Sequence, residues 1–118
     1  MNLQDTLASL DVDVAATLNR FSNMEPLLAK FVKKFPSDAT YGQLLDALKQ
    51  QDHQALEAAS HTLKGVAANM GFARLSQRCD TLVKALRAGE RGQEVLAQMT
   101  ADISAEYDKI VQAIAGLD

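Results

Sequence analysis

The chain has 118 residues, enough for one domain with one hydrophobic core, and its 47% hydrophobic and 23% charged residues are typical of a soluble globular protein. Its formal net charge of −3 argues against a nucleic-acid-binding protein, and no apolar segment is long enough to span a membrane. The single cysteine excludes an internal disulfide, and the N-terminus lacks the features of a signal peptide, so we expect a cytoplasmic protein.

The N-terminal part of the chain predicts short helices. A weak helical signal covers residues 3–10, and either Asp11 or Asp13 can cap a second helix. Ser22 and Asn23 interrupt that helix and offer a cap for the next one. Apolar residues follow at helical spacing in both segments: Val14, Leu18 and Phe21, then Leu27, Leu28, Phe31, Val32 and Phe35.

Prolines delimit the third segment. Pro26 suits the first turn of a helix, where its missing N–H matters little, and Pro36 ends that helix. Ser37 or Asp38 can cap the next helix, which we expect to reach about Gln50. Its apolar residues are Tyr41, Leu44, Leu45 and Leu48.

Three longer helices are predicted in the rest of the chain. Asp52 is placed to cap the first, and Gly71 suits its left-handed end. The second ends near Gly89, where a turn at 89–92 leads into the last and longest helix. The apolar residues repeat every three or four positions: Leu56, Ala59, Leu63, Val66 and Met70; Phe72, Leu75, Cys79, Leu82 and Leu86; Leu96, Met99, Ile103, Tyr107, Ile110 and Ile114.

These patterns predict an all-α protein, because no alternating strand pattern is present. Short connections between amphipathic helices favour antiparallel neighbours. We therefore predict one domain over residues 1–118: an up-and-down four-helix bundle over about 38–115, with one or two short N-terminal helices. Cys79 lies on an apolar stripe and is expected to be a buried core thiol.

One helical face combines residues with chemical potential. His61 lies roughly 180° from the apolar stripe of its helix and is therefore expected to face solvent. Lys64 and Gly65 share that face, as do Glu57 and Ala68. A glycine inside a helix costs about 1 kcal/mol relative to alanine, yet here it would clear space for another molecule to approach His61.

Imidazole is a good nucleophile near neutral pH because its ordinary pKa is about 6.5. Lys64, three residues after His61, can reach the edge of the ring and stabilise a bound phosphoryl group. Glu57, one turn before His61, can accept a hydrogen bond from the ring and fix its tautomer. The plainer interpretations are a solvated lysine, alone or paired with Glu57, and a solubilising surface glutamate.

This stretch resembles the signature of the histidine-containing phosphotransfer (HPt) family: His, any residue, Leu or Ile, Lys, Gly, any residue, Ala or Ser, then an apolar residue and Gly a turn later. The matching residues are His61, Leu63, Lys64, Gly65, Ala67, Met70 and Gly71. The looser family pattern covers about residues 10–115. The family fold is the same helical bundle.

The resemblance implies a phosphoryl carrier in a multi-step histidine–aspartate relay, with His61 accepting the group from one receiver aspartate and passing it to another. The partners implied are response-regulator receiver domains and a hybrid sensor histidine kinase. No cofactor is expected on the chain itself, since the receiver would supply the Mg²⁺. The sequence also lacks a glycine-rich nucleotide loop, so we expect neither ATP binding nor autonomous catalysis.

The resemblance also directs attention to the surface around His61. Gly65, Ala68 and Ala58 would form a small docking surface for the receiver. Many family members carry a polar residue, often Gln, where this chain has Val83. Val83 is then either a docking contact or an ordinary packing valine, and both interpretations remain open.

A metal site is not expected. His53 and His61 are roughly 12 Å apart along one helix, and with a single cysteine no zinc site assembles.

Two other classes of protein remain. A histidine kinase dimerisation domain usually has an acidic residue after its histidine and a proline a turn later, whereas Thr62 follows here and no proline occurs after Pro36. That domain must also dimerise, while this chain has enough helices to close a bundle as a monomer. The other class is a helical adaptor that never carries phosphate, which would make the intact motif accidental.

Overall fold

A computed structural model describes residues 1–118, which form seven α-helices and one 3₁₀ turn. Their bounds are α1 Leu3–Ser9, α2 Val14–Arg20, α3 Glu25–Lys34, the 3₁₀ turn Phe35–Ser37, α4 Thr40–Lys49, α5 His53–Asn69, α6 Ala73–Arg87 and α7 Gln93–Ala115. Helix α5 packs on α4 and α6, and α7 closes the bundle against α6 and α4. The predicted all-α four-helix bundle is confirmed.

Three short helices precede the bundle, rather than one or two. Helix α1 packs on α7, and its Leu3 and Leu7 are buried in the common core. The Met1 ammonium also donates to the Gly116 carbonyl at 3.1 Å and pairs with the Asp118 carboxylate at 3.2 Å. The two chain termini are therefore held together beside α7.

The helix ends follow the predicted capping chemistry. The carboxylates of Asp13 and Asp52 each accept the hydrogen bond that caps α2 and α5, from Ala16 N and Ala55 N at 3.0 Å. At α4 the predicted cap at Ser37 or Asp38 is off by one residue: Ala39 occupies the N-cap position without a side-chain cap, and Asp38 accepts from the Thr40 N–H at 2.8 Å. Each bond satisfies a backbone donor that has no partner within its own helix.

The predicted cap at Ser22 or Asn23 is wrong. Both residues adopt left-handed conformations with φ of 57°, and their N–H groups donate to carbonyls at the end of α2. They therefore finish α2, while Met24 precedes α3 without a side-chain cap.

One hydrophobic core unites the short helices with the bundle. An aromatic chain crosses it, with ring centroids 5.1 Å apart for Phe72 and Phe35, 5.5 Å for Phe35 and Tyr107, and 3.7 Å for Tyr107 and Tyr41. The Tyr41 hydroxyl donates to Ser104 Oγ at 2.7 Å, which satisfies its polar end. These contacts hold both the 3₁₀ turn and helix α4 against helix α7.

The burial of Cys79 was predicted correctly, whereas the apolar positions predicted for Phe31 and Leu45 are partly open to solvent. Cys79 is buried as predicted, and burial raises the pKa of its thiol to about 12. Phe31 and Leu45 were expected on apolar faces but are 42% and 38% exposed.

No helix combines the length and the apolar character needed to cross a membrane.

Gly71 ends α5 with φ +82°, a conformation that side chains disfavour. A Cβ at this position would collide with Thr17 Oγ1 and lie 2.8 Å from Val12 Cγ1. The glycine thus lets α2 approach the α5–α6 turn.

We predict that Gly71→Ala lowers the free energy of unfolding by about 1–3 kcal/mol, because it combines a strained φ with this collision. Urea unfolding followed by circular dichroism measures the change. The matched control is Gly42→Ala in α4, where a Cβ meets nothing within 4 Å and where stability should rise by up to about 1 kcal/mol. Parent-like stability of Gly71→Ala would contradict this role.

Candidate functional site

The packing of α5 determines which of its residues face solvent. Leu56, Leu63 and Ala67 are buried between the neighbouring helices, with Leu56 and Leu63 each 1% exposed. His61 lies on the opposite side of the helix and is exposed, as its spacing from that stripe predicts. A partner molecule can therefore reach the imidazole without any change in the fold.

Three small residues surround His61 on the same exposed surface. Ala58, Gly65 and Ala68 are all solvent-exposed. A Cβ at Gly65 would meet nothing within 4 Å, so no internal packing requires a glycine there. Ala68 also borders an open cleft of about 360 Å³ between α2 and the α5–α6 turn. The structure thus brings together the small residues that the sequence proposed for docking.

Lys64 pairs across the bundle rather than along its own helix. Its Nζ lies 2.9 Å from Oδ1 of Asp80 on α6, and the lysine side chain keeps 39% of its surface exposed. Neither a free lysine nor a pair with Glu57 describes this side chain. Asp80 was missed by the sequence interpretation, because the α5–α6 register that brings it to Lys64 is a tertiary property.

Asp80 binds a second lysine. Lys84 Nζ lies 2.9 Å from Asp80 Oδ2, so the carboxylate uses both of its oxygens. Hydrogen bonds from Lys64 and then Lys84 lower the pKa of Asp80 to about 2, which keeps it ionised at neutral pH. The i,i+4 spacing of Asp80 and Lys84 was the one signal in the sequence for this arrangement.

Glu57 has a different partner from the one predicted. Its Oε2 accepts a hydrogen bond from Arg87 Nε at 3.3 Å, also across the α5–α6 interface. The structure contains no hydrogen bond between Glu57 and His61. Arg87 therefore binds the Glu57 carboxylate that was expected to orient the His61 ring.

Val83 is buried, with only 1% of its surface exposed, so its predicted place on a docking surface is wrong. It follows Cys79, which is also buried, by about one turn of α6. The alternative interpretation, an ordinary packing valine, is correct.

Among residues 1–118, no group of three histidine, cysteine or carboxylate side chains is arranged to hold a metal ion. His53 begins α5 and His61 lies on a later turn, so the two rings do not form one site.

Fold and site together define a class of protein: a helical bundle that presents a histidine, a lysine and a glycine on the outer surface of one helix. The family model described as "Hpt domain" matches residues 27–115, about three quarters of the chain. The chain therefore belongs to the Hpt domain family. No curated protein and no solved structure gave a match.

Membership assigns the coarse activity. Hpt domains carry phosphoryl groups on histidine in phosphorelays, and they are carriers rather than catalysts. Their partners are response-regulator receiver domains and histidine kinases.

Proposed function

We propose that His61 is the phosphorylated histidine, and that the chain carries the group from the aspartate of one receiver domain to that of another. The observation that carries this proposal is the exposed face of α5, where His61 lies beside Lys64 and Gly65. His53 lacks this setting because it lies at the first position of the helix.

In the proposed transfer, covalent bonds form and break only at the His61 ring and at the aspartyl phosphate of the partner. An unprotonated nitrogen of His61 attacks the phosphorus of an aspartyl phosphate, and an N–P bond forms as the bond to the aspartate oxygen breaks. The aspartate leaves as a carboxylate, and the positive charge on the imidazole is lost when its other nitrogen releases a proton. The receiver would supply the Mg²⁺ that neutralises the phosphoryl oxygens.

Lys64 is proposed to add positive charge from the carrier's side. Its ammonium is fixed at 2.9 Å from Asp80, yet the side chain is still partly exposed. Positive charge held next to the site where a phosphoryl group binds stabilises that group, and more so when the charge is fixed in advance.

Ala58, Gly65 and Ala68 are proposed to form the receiver's docking surface, with the hybrid sensor kinase supplying the first phosphoryl group. Small side chains let the partner backbone approach, and a modest apolar contact suits a transient interface. Helices α4, α5, α6 and α7 pack on one another in a complete bundle, so a second chain is not needed to complete the core. This supports a monomeric carrier over a kinase dimerisation domain.

We predict that His61→Gln keeps the melting temperature within about 2 °C of the parent, since an exposed side chain contributes little to stability. It should accept no phosphate from phosphoramidate, as followed by ³¹P NMR. His53→Gln is the matched control and should be phosphorylated like the parent. Phosphorylation of His61→Gln would end the assignment.

Lys64→Ala is expected to slow phosphotransfer from a receiver by about 10-fold, because one contact to the phosphoryl charge is lost at a partly exposed site. The melting temperature should change little, since exposed ion pairs contribute little to folding. Rapid-quench measurements at low and high salt test this expectation. Rates equal to the parent at both salt concentrations would show that Lys64 is ordinary surface.

Gly65→Gln should keep the fold, because the position opens to solvent, but its side chain should block docking of the receiver. Gly65→Ala is the smaller control and should raise stability by up to about 1 kcal/mol. Both variants should still react with phosphoramidate, which needs no docking. If Gly65→Gln exchanges phosphate with the receiver at the parent rate, the docking surface lies elsewhere.

A further inference from the structure

A single carboxylate on α6 holds two lysines, one of them on α5, the helix that carries His61. Asp80 Oδ1 is 2.9 Å from Lys64 Nζ, and Asp80 Oδ2 is 2.9 Å from Lys84 Nζ. The Asp80 side chain is 27% exposed, while that of Lys84 is 76% exposed. The carboxylate is thus enclosed by two cations, one of which is largely in solvent.

Two cross-helix pairs give the register of α5 against α6. Lys64 pairs with Asp80, and Glu57 pairs with Arg87. Ser76 Oγ also donates to the Lys64 carbonyl at 3.2 Å. Because residue numbers rise on α5 as they fall on α6, the two helices run antiparallel with these pairs at matching levels.

This register brings Lys84 to the level of His61. His61 precedes Lys64 by three residues, about 4.5 Å along α5, and Lys84 follows Asp80 by four residues, about 6 Å along α6 in the same direction. His61 and Lys84 therefore lie at nearly the same height along the two helix axes, about 1.5 Å apart in that direction. Lys84 shares the face of α6 that carries Asp80, and Asp80 reaches Lys64 on the His61 side of α5.

Folding stability does not explain this arrangement well. Exposed ion pairs contribute little because water screens them and long side chains must be ordered. A lysine whose side chain is 76% exposed can instead move its ammonium to a stronger anion at small desolvation cost. A phosphoryl group on His61 would be such an anion, with up to two negative charges and three acceptor oxygens.

We propose that Lys84 is a second cation that binds the phosphoryl group on His61, and that Asp80 is the positioning residue that presents Lys84 together with Lys64. This inference rests on the proposed function of His61. Asp80 holds both ammonium groups before transfer and shares them with the phosphoryl oxygens afterwards. Because Lys64 and Lys84 lower the pKa of Asp80 to about 2, the carboxylate is ionised at neutral pH before the transfer.

Phosphoramidate tests the proposal without a partner protein. A nitrogen of His61 attacks its phosphorus, the donor's P–N bond breaks, and ammonia leaves with the proton released by the imidazole. The lysines contact only the phosphoryl oxygens, which gain and lose no bonds. Rates are measured by ³¹P NMR at low salt, after the modified residue of the parent has been mapped.

Lys84→Ala should slow this phosphorylation by about 10-fold, and Lys84→Arg should restore most of the rate. The matched control is Lys49→Ala on α4, a helix that packs on α5 and α7, and it should react like the parent. If Lys84→Ala reacts like Lys49→Ala, Lys84 is not a phosphoryl-binding cation.

Asp80→Asn should slow the reaction by about 5-fold, because Lys64 and Lys84 are then no longer held in position. The control Asp46→Asn on α4 should not change the rate. Asp80→Asn should have no further effect when Lys64 and Lys84 are both alanine, since Asp80 acts through them. A rate increase in Asp80→Asn, or an equal effect in the double-alanine background, would overturn the positioning role.

The ¹⁵N signals of the lysine ammonium groups supply a readout that a purely structural role would not move. Phosphorylation of His61 should shift the Nζ signals of both Lys64 and Lys84 and leave that of Lys49 in place. An unmoved Lys84 signal contradicts the proposal. If the parent takes no phosphate on His61, the proposed function fails and this inference with it; if His61 is phosphorylated but the Lys84 results fail, only the inference is wrong.

Discussion

The burial of one side of α5 is the constraint on which the rest of the structure depends. Leu56, Leu63 and Ala67 are almost completely removed from water, and the helix cannot rotate without exposing them. The same constraint holds His61 outward and places Gly65 and Ala68 beside it. The packing of these buried residues thus presents His61 to solvent.

The antiparallel contact of α5 with α6 turns that exposed face into a site. Lys64 and Glu57 each find a partner on α6 rather than on their own helix. Along this interface two lysines share the single carboxylate of Asp80, and Arg87 neutralises Glu57. Under the proposed function the catalytic demands on this surface are small, because the receiver would bring the acyl phosphate and the metal ion.

The sequence predicted the features that depend on local chemistry. The caps at Asp13 and Asp52, the left-handed stop at Gly71 and the buried thiol of Cys79 all follow from neighbouring residues or from one helical period. The solvent-facing position of His61 follows from the same period. Helix periodicity therefore sufficed for the bundle and for the exposed histidine.

The features that were not predicted from the sequence depend on how the helices pack against one another. The pairing of Lys64 with Asp80 and the burial of Val83 need the α5–α6 register, which no single helical pattern contains. The exposure of Phe31 depends likewise on how α3 lies on the bundle. Ser22 and Asn23 are good capping residues, but their left-handed backbone commits them to ending α2.

We infer that His61 receives a phosphoryl group from a receiver aspartate. The most direct measurement is incubation of the intact chain with a phosphorylated receiver domain, followed by mapping of the modified residue by mass spectrometry under conditions that preserve phosphohistidine. We expect the receiver to lose its phosphate and the phosphate to appear on His61 alone. Phosphate on His53, or a receiver that keeps its phosphate in the presence of the chain while passing it to another Hpt domain, would contradict it.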